Sequence, residues 1–133
     1  MAFQFSVAAR NASLDAIETA IGVSPTLTIR TGVAPANCAA ARTGTVLATL
    51  VLPSDFLAAA AAGAKAIAGT WQDTSADAAG TAGHFSVDQG VACHIQGGIT
   101  ATGGGGDMTL DNVIIALAQQ VTVTAFTINA GGA

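Results

Sequence analysis

Ionised side chains are what this sequence has least of. Asp, Glu, Lys and Arg make up 9% of the residues, against about 25% in an ordinary globular domain. Half the chain is hydrophobic, at 51%, so an exterior built from it is expected to be covered by neighbouring subunits. Cations are scarcer still. Arg10, Arg30, Arg42 and Lys65 are the whole set, they are scattered, and the net charge is -4. Nucleic acid is held by clustered Lys and Arg, so no direct nucleic-acid contact is expected.

Other absences narrow the choice further. No run reaches the roughly 18 apolar residues that a membrane-spanning helix needs, since the charge-poor stretch "FLAAAAAGA" is short and ends at Lys65. No membrane association is expected. The start "MAFQFSVAARNASLD" lacks a basic segment ahead of an apolar core, so the chain is expected to begin here without a secretory leader. There is no Tyr and one Trp, too few aromatic platforms for carbohydrate recognition. Trp71, beside Ile67 on an alternating segment, reads as a core anchor. Cys38 and Cys93 form no C-x-x-C pair, which excludes zinc-ribbon and thioredoxin-like sites. Buried free thiols are the expectation for a chain made in a reducing cytosol, and a mutual disulfide is the alternative.

What is present is periodicity. Val7, Leu14, Ile17 and Ile21 recur at helical spacing, with Asp15 and Glu18 toward the start of the segment and Gly22 and Pro25 after it. One amphipathic helix over about residues 6–21 follows. From Ser24 onward the pattern is short alternating segments rich in Thr, Val and Ile, divided by Gly, Asp, Asn or Pro. "TLTIRT" places Leu27 and Ile29 on one face. "TVLATLVL" is apolar on both faces and predicts a central strand covered on both sides. "SDFLAAAAAG" fits a helix capped by Ser54 or a loop of small residues equally well. "AKAIAGTWQD", "GTAGHFSVD", "VACHIQGGIT", "DMTLD", "NVIIA" and "QQVTVTAFTIN" complete about eight strands at the spacing of a sandwich. The predicted fold is all-β: one domain over residues 1–133, an antiparallel β-sandwich or jelly roll over about 26–129 behind the N-terminal helix. The tail "NAGGA" should be flexible unless a neighbour captures it.

Candidate chemistry is thin. The glycines of "GGITATGGGGDMTLDN" are followed by Asp107 and Met108 and by a strand, so neither the P-loop nor the dinucleotide pattern fits. A wide turn using positive φ is expected at Gly103 to Gly106. His84 and His94 stand on neighbouring alternating segments and could form a two-histidine metal site with Asp73, Asp77 or Asp88, but no ligand spacing supports one. Cys93 and His94 are adjacent on a strand and point to opposite faces. That leaves Cys93 with Val91 and Ile95 on the core side. Asp73, Asp77, Asp107 and Asp111 lack the calcium-loop pattern and read as turn formers. No catalytic residue, metal or cofactor is expected.

The blocks "NASLDAIETAIG", "TLTIRTG" followed by "PANCAAA", "WQDTSADAAGTAGHF", and "GDMTLDN" ahead of "QQVTVTAFTINAGG" together resemble a family of small virion structural proteins of tailed double-stranded DNA bacteriophages. The resemblance spans nearly the whole chain. It implies a non-enzymatic place in a particle assembled in the bacterial cytoplasm: a capsid decoration or cement protein bound between major capsid subunits, or a neck, tail or fibre component bound to other virion proteins or a host surface. A homo-oligomer is expected. Strand edges and the N-terminal helix are the natural docking elements, with Phe3, Phe5, Val7, Leu14 and Ile17 as the candidate interface. A small hydrolase on a sandwich fold is the competing class, and it requires Ser or Cys, His and Asp to converge.

Overall fold

The computed structural model describes residues 3–132. It holds one helix, α1 (Val7–Ile21), and ten strands: β1 (Thr26–Thr31), β2 (Val46–Val51), β3 (Ala64–Ala66), β4 (Trp71–Asp73), β5 (Gly80–Gln89), β6 (Ala92–Ala101), β7 (Met108–Leu110), β8 (Ile114–Ile115), β9 (Val121–Val123) and β10 (Thr127–Asn129). The fold is predominantly β, as the alternating segments predict.

Local chemistry sets both ends of α1. The Ser6 hydroxyl accepts the Ala9 N–H at 3.1 Å, and Gly22 at φ 88° returns its N–H to the Glu18 carbonyl. These are the cap and the stop that a helix needs to satisfy its end groups. Leu14 and Ile21 are its buried residues, and the first turn carries no acidic side chain. Asp15 and Glu18 therefore do not serve the helix start as expected. They lie in the second half and face Lys65, at 2.6 Å and 3.8 Å.

The main sheet runs β2-β1-β5-β6-β7, with β8 added to β5, and two ribbons, β10-β3 and β4-β9, stand apart from it. The β6–β7 pair is parallel, whereas β1, β2, β5, β6 and β8 pair antiparallel among themselves, as do both ribbons. Across β1 and β5 the register sets Leu27 against Val87 and Ile29 against Phe85, all of them buried. The core continues from Phe85 to Phe126, ring centroids 5.4 Å apart, and on to Trp71 at 6.0 Å and Phe56 at 6.2 Å. Trp71 is the anchor its alternation predicts, and its indole N–H is satisfied by the Phe56 carbonyl at 3.0 Å.

Three expectations change. β2 is an edge strand, not a central one. Leu47 and Ala48 are covered on both faces, but Val51 is 69% exposed. The free edge is closed by the end of β4 and the loop that follows it, without a paired strand. Asp77 and Ala78 donate their N–H groups to the Leu47 carbonyl, and Asp73 accepts the Thr49 N–H at 2.9 Å. Such a cover removes the hazard of an open edge. "QQVTVTAFTIN" divides into β9 and β10, because Phe126 leaves the strand line to fill the core. "SDFLAAAAAG" forms no helix: it is an irregular segment, as the loop alternative has it, with isolated bridges from Leu57 to Ile67 and Ala61 to Ala64, and it buries Phe56 and Leu57.

Candidate functional site

Four of the five candidate interface residues lie on the surface, three around the start of α1 and Ile17 in its second half. Phe3 is 78% exposed, Phe5 and Val7 52% each, and Ile17 37%. Leu14 is buried inside the chain. Phe3 and Phe5 stack edge to face at 5.3 Å. The arm they form is pinned to the other end of the chain, where the Phe5 N–H donates to the Gly132 carbonyl at 2.7 Å. Arg10 holds the same tail through Nη2 to the Ala130 carbonyl at 3.1 Å. The "NAGGA" segment is thus captured by its own chain over residues 129–132. Between α1 and this tail lies a mostly apolar groove of about 350 Å³ lined by Phe5, Leu14 and Ile17.

Lys65, read from sequence only as one scattered cation, fixes α1 to β3. It is 1% exposed, and burying an ammonium is tolerable only with a close partner. Asp15 is that partner and also accepts the Ala60 N–H at 3.1 Å. The Lys65 hydrogen bond first, and the Ala60 bond second, hold the Asp15 carboxyl below its ordinary 3.8.

The second face of β1 and β5 is polar and also buried. His84 and Ser86, opposite Phe85 and Val87 on β5, are 0% and 1% exposed. Their cover is the connection between β1 and β2, residues 33–44, which folds back over the sheet and reaches Gln96 of β6. His84 Nδ1 lies 3.0 Å from the Gly32 carbonyl; a carbonyl only accepts, so Nδ1 carries the proton. His94 is exposed, and His84 is in register with Gly98, so the two histidines do not meet. No metal-ligand cluster exists among the described residues.

The cysteines correct the sequence reading most sharply. Cys38 and Cys93 are joined in a disulfide, with Cα atoms 5.2 Å apart across 55 residues of sequence. A register shift between Val87 and Asp88 sets Asp88 against Cys93, skipping His94. This bulge breaks the alternation that placed Cys93 beside Val91 and Ile95 on the core side. Cys93 instead sits half-buried beneath the 33–44 segment, and Val91 projects fully into solvent at the hairpin tip.

The aspartates do turn and edge work. Asp107 accepts the Gly98 N–H at 2.9 Å, and Asp73 accepts the Ser75 N–H at 3.0 Å. The four glycines close the β6–β7 connection: Gly103 and Gly105 take φ of 89° and 80°, while Gly104 and Gly106 press so closely on Thr100 that a Cβ at either would fall within 3 Å of it. Their amides are used within the turn, Gly104 to the Ala101 carbonyl and Gly106 to the Thr100 hydroxyl. Among the described residues no helix is long and apolar enough to cross a membrane. Comparison with protein-family models, curated proteins and solved structures found no match for this chain.

Proposed function

We propose that this chain is a non-enzymatic structural protein of a bacteriophage virion, a capsid decoration or cement subunit that binds between major capsid subunits and associates with further copies of itself. The observation that carries the reading is the exposed apolar surface: the arm residues Phe3 and Phe5, with Val7 and Ile17 of α1, stand in solvent on a chain in which 9% of residues are charged. Hydrophobic groups clustered on a surface so short of ionised ones favour assembly. The resemblance of the sequence blocks supplies the kind of particle. Many copies, each weakly bound, would add contacts that hold a pressurised shell together through multivalency. On this reading the two small ribbons are the second layer of a jelly-roll-like sandwich, and the protein resides in the virion.

The test is binding to purified heads and, separately, purified tails of the phage that encodes the chain. Stoichiometric occupancy of expanded heads, seen as added density between capsomers by electron cryomicroscopy, is the expected result. Occupancy of necks or tails alone would move the protein to the neck, tail or fibre role. Binding to neither would overturn the proposal.

A further inference from the structure

The 33–44 segment is held down in an unusual way. It has no regular secondary structure and none of its residues is buried, so it brings little apolar area to its own docking. Yet its residues 38–42 form, with Arg30 and Asp88, the wall of a cavity of about 450 Å³. Beneath this cover, Arg30 Nε and Asp88 Oδ1 are buried and have no hydrogen-bond partner among the described residues. Opening the segment would expose both side chains further to water.

Two attachments oppose the opening. One is a polar clasp on Gln96, which donates from Nε2 to the Pro35 carbonyl at 2.7 Å and accepts from Arg42 Nη1 at 2.9 Å. Such bonds exchange readily with water and contribute little net. The other is the Cys38–Cys93 bond. The segment's own fold does not need that bond. Asn37 Oδ1 accepts the Ala39 and Ala40 N–H groups, and Arg42 Nη2 donates to the carbonyls of Asn37, Cys38 and Ala40. Cys38 is therefore presented in a preformed turn whether or not it is bonded. Both cysteines are half-buried and line the cavity, within reach of a small thiol.

We infer that Cys38–Cys93 is a thiol-operated latch: its reduction releases residues 33–44 from the Arg30–Asp88 cavity, and its oxidation closes them again. Closure by glutathione disulfide takes two exchanges. One cysteine thiolate displaces a glutathione to give a mixed disulfide, then the second thiolate displaces the other glutathione. Two cysteine protons pass to the two departing thiolates. A dithiol such as dithiothreitol reverses this, closing to its own cyclic disulfide as it gives the bridge two electrons. The latch is independent of the virion reading and is tested on the isolated full chain.

Limited trypsin digestion of oxidised and dithiothreitol-treated chain, with amide hydrogen exchange alongside, reads the segment directly. Cleavage after Arg42 should be about tenfold faster in the reduced chain, since proteolysis tracks local opening. The Leu27 and Val87 amides should stay closed in the native state, losing no more protection than the cross-link's share of global stability and remaining far more protected than residues 33–44, and glutathione disulfide should restore the slow cleavage. The Cys38→Ser/Cys93→Ser variant should cut at the fast rate under both treatments. Equal rates in oxidised and reduced wild type would mean that the Gln96 clasp alone holds the segment, and would overturn the latch. Exchange of Leu27 and Val87 as fast as that of residues 33–44 in the reduced chain would make the bridge a staple of the entire fold, and would overturn it equally.

Discussion

Leu14 and Asp15 are neighbours on α1 with different tasks. Leu14 is 1% exposed, so Leu14→Ala leaves a cavity and should cost about 2–5 kcal/mol in urea denaturation. Ile17 is exposed by more than a third. Its replacement by Ala should change stability far less and should weaken assembly instead. Equal stability losses at the two positions would mean that the face bearing Ile17 belongs to the core. Asp15 adds a pH dependence. Its carboxyl is held below 3.8 in the folded chain by Lys65 and Ala60, so the unfolded chain binds the proton more readily. The stabilisation is complete above the ordinary pKa and is lost as pH falls through the lowered one. Urea midpoints measured between pH 6 and pH 2 should therefore drop at the acid end for wild type, and drop less for Asp15→Asn.

Among the elements, the ends of α1 were legible because capping is local: Gly22 lies just past the last apolar repeat. Leu27 and Ile29 were legible for the same kind of reason, as alternation needs only the strand itself. The position of β2 was not, because what closes its edge is Asp73 and Asp77, which lie 24 and 28 residues away from Thr49. A continuous apolar run reports burial without saying whether a strand or a loop provides it. The disulfide was hidden by the bulge after Val87, since one skipped residue reverses the face on which every later side chain is expected. Closing 55 residues of chain restricts the unfolded ensemble, and chain entropy puts the gain at up to about 4 kcal/mol. Cys38→Ser/Cys93→Ser should lower unfolding free energy toward that limit while the far-ultraviolet circular dichroism of the native state stays unchanged.

For the whole molecule, the apolar exterior is the feature that asks for an explanation. The exposed positions at the start of the chain were readable as a stripe, but helical spacing alone did not reveal that Leu14 points inward while Ile17 stays outside. That division comes from how α1 docks: Asn11, Asp15 and Lys65 tie it to residues 60–65 by polar bonds, and Leu14 and Ile21 are its buried apolar contacts. Removing residues 1–6 deletes Phe3 and Phe5 along with the Ser6 cap, which is worth about 1 kcal/mol. The shortened chain should remain folded by circular dichroism and lose its attachment to particles. Undiminished attachment would shift the contact to another part of the surface.

The proposed assembly can be measured in one experiment, by sedimenting the purified chain alone and mixed with expanded heads of the phage proposed to encode it. A multimer, or pelleting with the heads at a fixed ratio of copies to capsomers, is the expected result. A monodisperse monomer that stays in the supernatant whatever the concentration of heads would contradict it.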